Sequence, residues 1–105
     1  MITIEVRPEA EAEIREAFAW YEEKRRGLGH QFLVSLASVL DRVRRHARSF
    51  PVDDSGIHKA VLRRFPYMIY FELEEGRASI LAVYHGHRRP RTWTNRVSEP
   101  EFAYG

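Results

Sequence analysis

The chain has no cysteine. That excludes disulfides, thiolate nucleophiles and Cys-based zinc sites, and it fits a reducing compartment. No run of about 18 apolar residues occurs, so no membrane-spanning helix is expected. The opening Met1–Arg7 alternates apolar and polar residues and reads as a strand rather than a signal peptide. There is no Gly-rich phosphate loop, no Ser/His/Asp arrangement, no internal repeat and no low-complexity segment. Nothing asks for a metal or a cofactor, so none is expected. Lysine is scarce too: apart from Lys24 and Lys59, all 17 basic residues are arginine. Arginine suits carboxylate, phosphate and base-edge recognition better than lysine does.

What is present is a 105-residue chain, enough for one modest core, with 12% aromatic residues to fill it. Its net charge of +2 conceals a division. Residues 1–23 are acidic, with Glu5, Glu9, Glu11, Glu13, Glu16, Glu22 and Glu23 against Arg7 and Arg15. Residues 24–71 are strongly basic, and residues 85–96 carry Arg88, Arg89, Arg91 and Arg96 with no acid.

Ile2, Ile4 and Val6 alternate with polar residues and predict a strand with one buried face. Pro8 suits the first turn of a helix, and the glutamates after it complement the positive end of the helix dipole. The stripe Ala10, Ile14, Ala17, Phe18, Tyr21 predicts a helix over 8–25, ended by Gly27 and Gly29. A second helix over 29–46 follows from Phe32, Leu36, Val39, Leu40, Val43 and Ala47. The two-glycine link makes the pair an antiparallel hairpin. Three strands are expected after the Asp53–Gly56 loop: 57–65, broken at Pro66; 67–73; and 77–84, with Glu74-Glu75-Gly76 as the turn. A short turn or helix is expected over 93–97. The order β-α-α-β-β-β implies an α+β fold, a helical hairpin packed on one face of a small, mostly antiparallel sheet. The sheet's other face is expected to stay open to partners. Residues 1–97 read as one domain and 98–105 as a tail.

The chemistry concentrates at the strand ends. Arg63, Arg64, Arg88, Arg89 and Arg91 form a basic rim, interleaved with Tyr67, His85, His87 and Trp93. Guanidinium groups pair with phosphates or carboxylates, and aromatic rings stack on bases or on apolar partner groups. Nucleic acid and an acidic peptide fit these residues equally; the bland alternative makes Tyr67 and Trp93 core and the arginines solubilising. In His85-Gly86-His87 both imidazoles share a strand face. A structural hydrogen bond, proton transfer and a metal site are the readings there, and no carboxylate or thiolate accompanies the pair. The glutamates of the first helix, spaced by two, alternate faces and form a solvated surface rather than an acid–base pair.

In its order of features the chain resembles the RelE/ParE toxin superfamily. The resemblance runs from Ile4 to about Trp93. It rests on the first strand, the helix ending near Tyr21, Gly27-Leu28-Gly29-His30-Gln31-Phe32, and Phe50-Pro51. It rests further on Arg63-Arg64-Phe65-Pro66-Tyr67 and on Ala82-Val83-Tyr84-His85-Gly86-His87-Arg88-Arg89-Pro90. The resemblance implies a β-α-α-β-β-β toxin fold, a cognate antitoxin, a toxin–antitoxin hetero-oligomer and a bacterial cytoplasmic setting without a membrane. RelE-like members cleave mRNA on the ribosome without a metal; ParE-like members poison DNA gyrase. Met68 stands where RelE-like toxins place a catalytic Arg, Arg88 matches the second basic position, and Trp93–Thr94 fall where the catalytic Tyr would be. The pattern leans to the ParE-like branch, with Arg63, Arg64, Arg88 and Arg89 as recognition residues. Two alternatives remain. In the first, a ribosome-dependent endoribonuclease, Arg64 and Arg88 hold the phosphate and His85 or His87 moves the proton. The second is a non-toxic partner that only binds antitoxin.

Overall fold

The structure, a computed structural model, describes residues 1–86. Strand β1 (Thr3–Val6) leads into α1 (Pro8–Lys24) and α2 (Leu28–His46). A 3-10 turn at Ala47–Ser49 follows, then β2 (Ile57–Val61), β3 (Tyr67–Glu74) and β4 (Arg77–His85). The sheet order is β1-β4-β3-β2. β2, β3 and β4 form an antiparallel meander, and β1 lies parallel to β4, pairing Thr3 with Arg77 and Val6 with Ile80. The expected α+β arrangement is therefore present, with one parallel pair in a mostly antiparallel sheet. The expected features of residues 87–105, including the domain boundary at 97, lie outside the described residues.

Local chemistry explains the elements. Pro8 occupies the first turn of α1, where no amide donor is needed, with Glu9 and Glu11 beside the positive helix end. Gly27 has φ +90, a left-handed conformation that glycine adopts without penalty. The Glu22 carboxylate accepts the Gly27 and Gly29 amide N–H groups, each at 2.9 Å, and so caps the start of α2. A Cβ on Gly29 would fall 2.8 Å from the Phe18 ring and from its carbonyl oxygen, so the two helices touch where only glycine fits.

The helices bury their stripes against one face of the sheet. Tyr21, Phe32, Phe65 and Tyr67 pack ring on ring, with centroids 5.0–6.0 Å apart. Burying Phe32 fully is worth about 2–3 kcal/mol. Ile14 and Phe18, expected in the core stripe, are only half-buried at its margin.

Two expectations need correction. Strand β2 ends at Val61, not Phe65. Residues 62–66 form a bend closed by Leu62 N–H to Tyr67 O (3.0 Å) and Tyr67 N–H to Phe65 O (2.8 Å). Arg64 sits in it at φ +70, which no strand accommodates. The sheet's second face is not bare either. The pairing shifts between Tyr70 and Phe71, making Leu81 the extra residue of a bulge. Ile57, Leu81 and Ala82 form a second buried cluster there, with Tyr70 and Tyr84 packed against it.

Candidate functional site

The anticipated rim divides into two grooves. The first lies between α1 and the end of β4. Glu13, Glu16 and Trp20 of α1 face Tyr67, Val83 and His85 across a volume of about 490 Å³. The Val83 amide donates to Glu13 Oε1 at 2.9 Å, tying helix to strand. Trp20 is 53% exposed, with the Lys24 ammonium 4.6 Å above its ring. Tyr67 is 9% exposed and belongs to the aromatic core. His85 is half-buried with its ring edge-on to Tyr67, centroids 5.3 Å apart. Burial pushes the Tyr21 phenol pKa up, and the nearby Tyr67 adds to the effect.

The second groove, of about 830 Å³, lies between α2 and the 62–66 bend. Arg63 and Arg64 form one bank; Ser35, Ser38 and Arg42 of α2 form the other. The Ser35 hydroxyl donates to the Arg63 carbonyl at 2.9 Å and pins the bend to the helix. The Arg42 guanidinium lies 5.0 Å over the Phe50 ring. Among the described residues no acidic one lines this groove.

Arg63 and Arg64 are thus together and exposed, as the sequence suggested, while Tyr67 and His85 line a different groove. His87, Arg88, Arg89, Arg91 and Trp93 lie outside the described residues. Arg42, Ser35 and Ser38 escaped sequence reasoning, although their spacing of three and four along α2 marks one flank of the helix. Met68 is half-buried, and its thioether accepts the Tyr70 hydroxyl at 3.6 Å. Among the described residues no three His, Asp or Glu side chains gather as a metal would require, and no helix is long and apolar enough to cross a membrane.

A first strand closes in parallel on the last strand of a meander, with a helical hairpin over one face, the α+β order expected from the sequence. No protein-family model matches the sequence, and no curated protein matches it. Among solved structures, the chain is similar to one from the chromosomal ParDE TA system from P. aeruginosa. The TM-score is 0.72 at 15% sequence identity, covering 81% of this chain and 96% of that one. At that identity the likeness is one of fold.

Proposed function

We propose that the chain is the toxin subunit of a type II toxin–antitoxin pair of the bacterial cytoplasm, neutralised by a cognate antitoxin, with DNA gyrase as its target. The observation that carries this reading is the fold, similar over nearly the whole of a chain from a ParDE system. The Phe65-Pro66-Tyr67 and His85–Pro90 motifs give the lean to gyrase. Arg63 and Arg64, with Arg88, Arg89, Arg91 and Trp93, are the recognition residues, and Tyr67 supports the bend that carries the first two. The gyrase reading is favoured over RNA cleavage because Arg64 and His85 line different grooves and Met68 offers no guanidinium.

The test is growth on induction without antitoxin, followed by a supercoiling assay with purified protein and Arg88→Ala as control. Growth arrest, with gyrase inhibition that the substitution weakens, is the expected result. Unaffected gyrase together with cleaved mRNA in a ribosome-containing translation mix would reassign the target. Unchanged growth would make the chain a non-toxic antitoxin-binding partner.

A further inference from the structure

We propose that the groove between α1 and the end of β4 is a binding site for a guanidinium group, the head of an arginine side chain. Four features select that chemistry. The first is charge. Glu13 and Glu16 stand three residues apart on one flank of α1, and among the described residues no Lys or Arg lines the groove. Glu13 is fixed to the wall by the Val83 amide, 2.9 Å from its Oε1, and Glu16 forms no ion pair with a described base. The second is the aromatic lining: Trp20, Tyr21, Tyr67, Tyr84 and His85 border the same volume as the two carboxylates. A guanidinium is planar and weakly hydrated, so it stacks on a ring while its N–H groups reach a carboxylate; an ammonium does this less well. Trp20, 53% exposed, already carries the Lys24 ammonium 4.6 Å from its ring centre. The third is Tyr21. Its side chain is only 8% exposed yet lines the groove, and among the described residues its hydroxyl has no hydrogen-bond partner. That phenol oxygen is an acceptor in want of a donor, and a guanidinium N–H supplies one. The fourth is size, about 490 Å³, within the range of small-ligand sites. A metal ion fits less well, because among the described residues no three carboxylates or imidazoles gather. Two sources offer the guanidinium: the chain's own Arg88, Arg89 and Arg91, which follow His85 within six residues in the sequence, and an arginine of a separate peptide or protein.

The probe is N-acetyl-arginine amide, titrated by NMR with the Trp20 indole and Val83 amide signals as reporters. Two proteins receive it: the full chain, and the full chain carrying Arg88→Gln, Arg89→Gln and Arg91→Gln together. N-acetyl-citrulline amide, neutral and nearly the same shape, and N-acetyl-lysine amide are the controls. Millimolar binding is expected in at least the triple variant, about tenfold tighter than citrulline and tighter than lysine. In that background Glu16→Gln and Trp20→Leu should each weaken the arginine probe about tenfold. Tyr21→Phe removes only the hydroxyl. It should weaken binding about threefold and leave the melting temperature unchanged, since among the described residues that oxygen has no partner to lose. The two proteins distinguish the sources. If the chain's own arginines fill the groove, the triple variant binds the probe about tenfold tighter than the parent, and its Trp20 signal is displaced before any probe is added. Equal affinity, with the Trp20 signal in place, assigns the groove to the arginine of a separate molecule. No binding to either protein would overturn the proposal, as would equal binding of citrulline or indifference to both Glu16 and Trp20 substitutions.

Discussion

His58 makes two contacts that substitution can separate. Its ring stacks on Phe71, centroids 5.0 Å apart, and Nδ1 lies 3.1 Å from the Phe50 carbonyl oxygen. That contact is buried, and the carbonyl needs a donor, so Nδ1 carries the proton there. His58→Ala should cost about 2–3 kcal/mol in urea unfolding, through the cavity and the orphaned carbonyl together. His58→Phe keeps the stacking and loses only the donor, so its cost should be clearly smaller; equal losses would mean that the hydrogen bond accounts for the whole effect. Nothing around His58 in the sequence marks it as a core residue. Its burial follows from β2 turning alternate residues, His58 and Ala60, onto the helix-covered face. Arg63 and Arg64, in contrast, were legible as exposed bases because a Pro-containing bend displays what flanks it.

At the scale of elements, the α1–α2 link rests on two glycines with different roles. Gly27→Ala meets open space but an unfavourable φ, and should cost about 1 kcal/mol. Gly29→Ala drives a methyl group into Phe18 and its carbonyl, and should cost about 1–3 kcal/mol in thermal or urea unfolding. The sequence suggested both as ending the first helix and Gly29 as opening the second; Gly29 does lie within α2, where it also serves close approach. The same link sets a pH dependence. The Gly27 amide, foremost, and then that of Gly29 hold the Glu22 carboxyl below its usual pKa against opposing desolvation. Asp41 is lowered chiefly by its hydrogen bonds from Arg45 and Arg44. In both cases the folded state binds protons less readily than the unfolded one. The stabilisation is therefore complete above the ordinary carboxylate pKa and is lost as pH falls through the lowered folded value. Through these two groups, melts should stay level from pH 7 until the ordinary carboxylate pKa of about 4 is approached and then fall towards about pH 3, and Glu22→Gln should start lower and fall less. A variant with the parent's full acid sensitivity would remove Glu22 from this account.

For the whole molecule, the decisive pairing is that of β1 with β4. It joins residues 3–6 to residues 77–80 and makes β4 an inner strand. Deleting residues 1–6 would strip that pairing and remove Ile2, Ile4 and Val6 from the core margin. The expected outcome is loss of a sharp thermal transition and of near-UV circular dichroism, with helical signal partly retained. A truncated chain that melts as sharply as the parent would show that the hairpin and meander suffice. The charge division acts at this scale too. The acidic residues of α1 and the arginine-lined groove of α2 give the molecule two faces of opposite sign.

The amino-acid sequence by itself determined the elements, their order and most of their inward faces. Periodicity, Pro8, the glycines and the Glu74–Gly76 turn all act over a few residues, where backbone sterics and side-chain spacing decide the conformation. Only the tertiary structure decided which residues share a groove. Arg42 meets Arg63 and Arg64 because a left-handed residue ends β2 early and swings the bend against α2. Tyr67 and His85 fall on the other side, with α1, because β3 and β4 pair there. The bulge at Leu81, which buries both Leu81 and Ala82, is likewise invisible in a run of apolar residues. Such placements depend on contacts between residues far apart in the chain, and those are set by packing and register rather than by any local pattern.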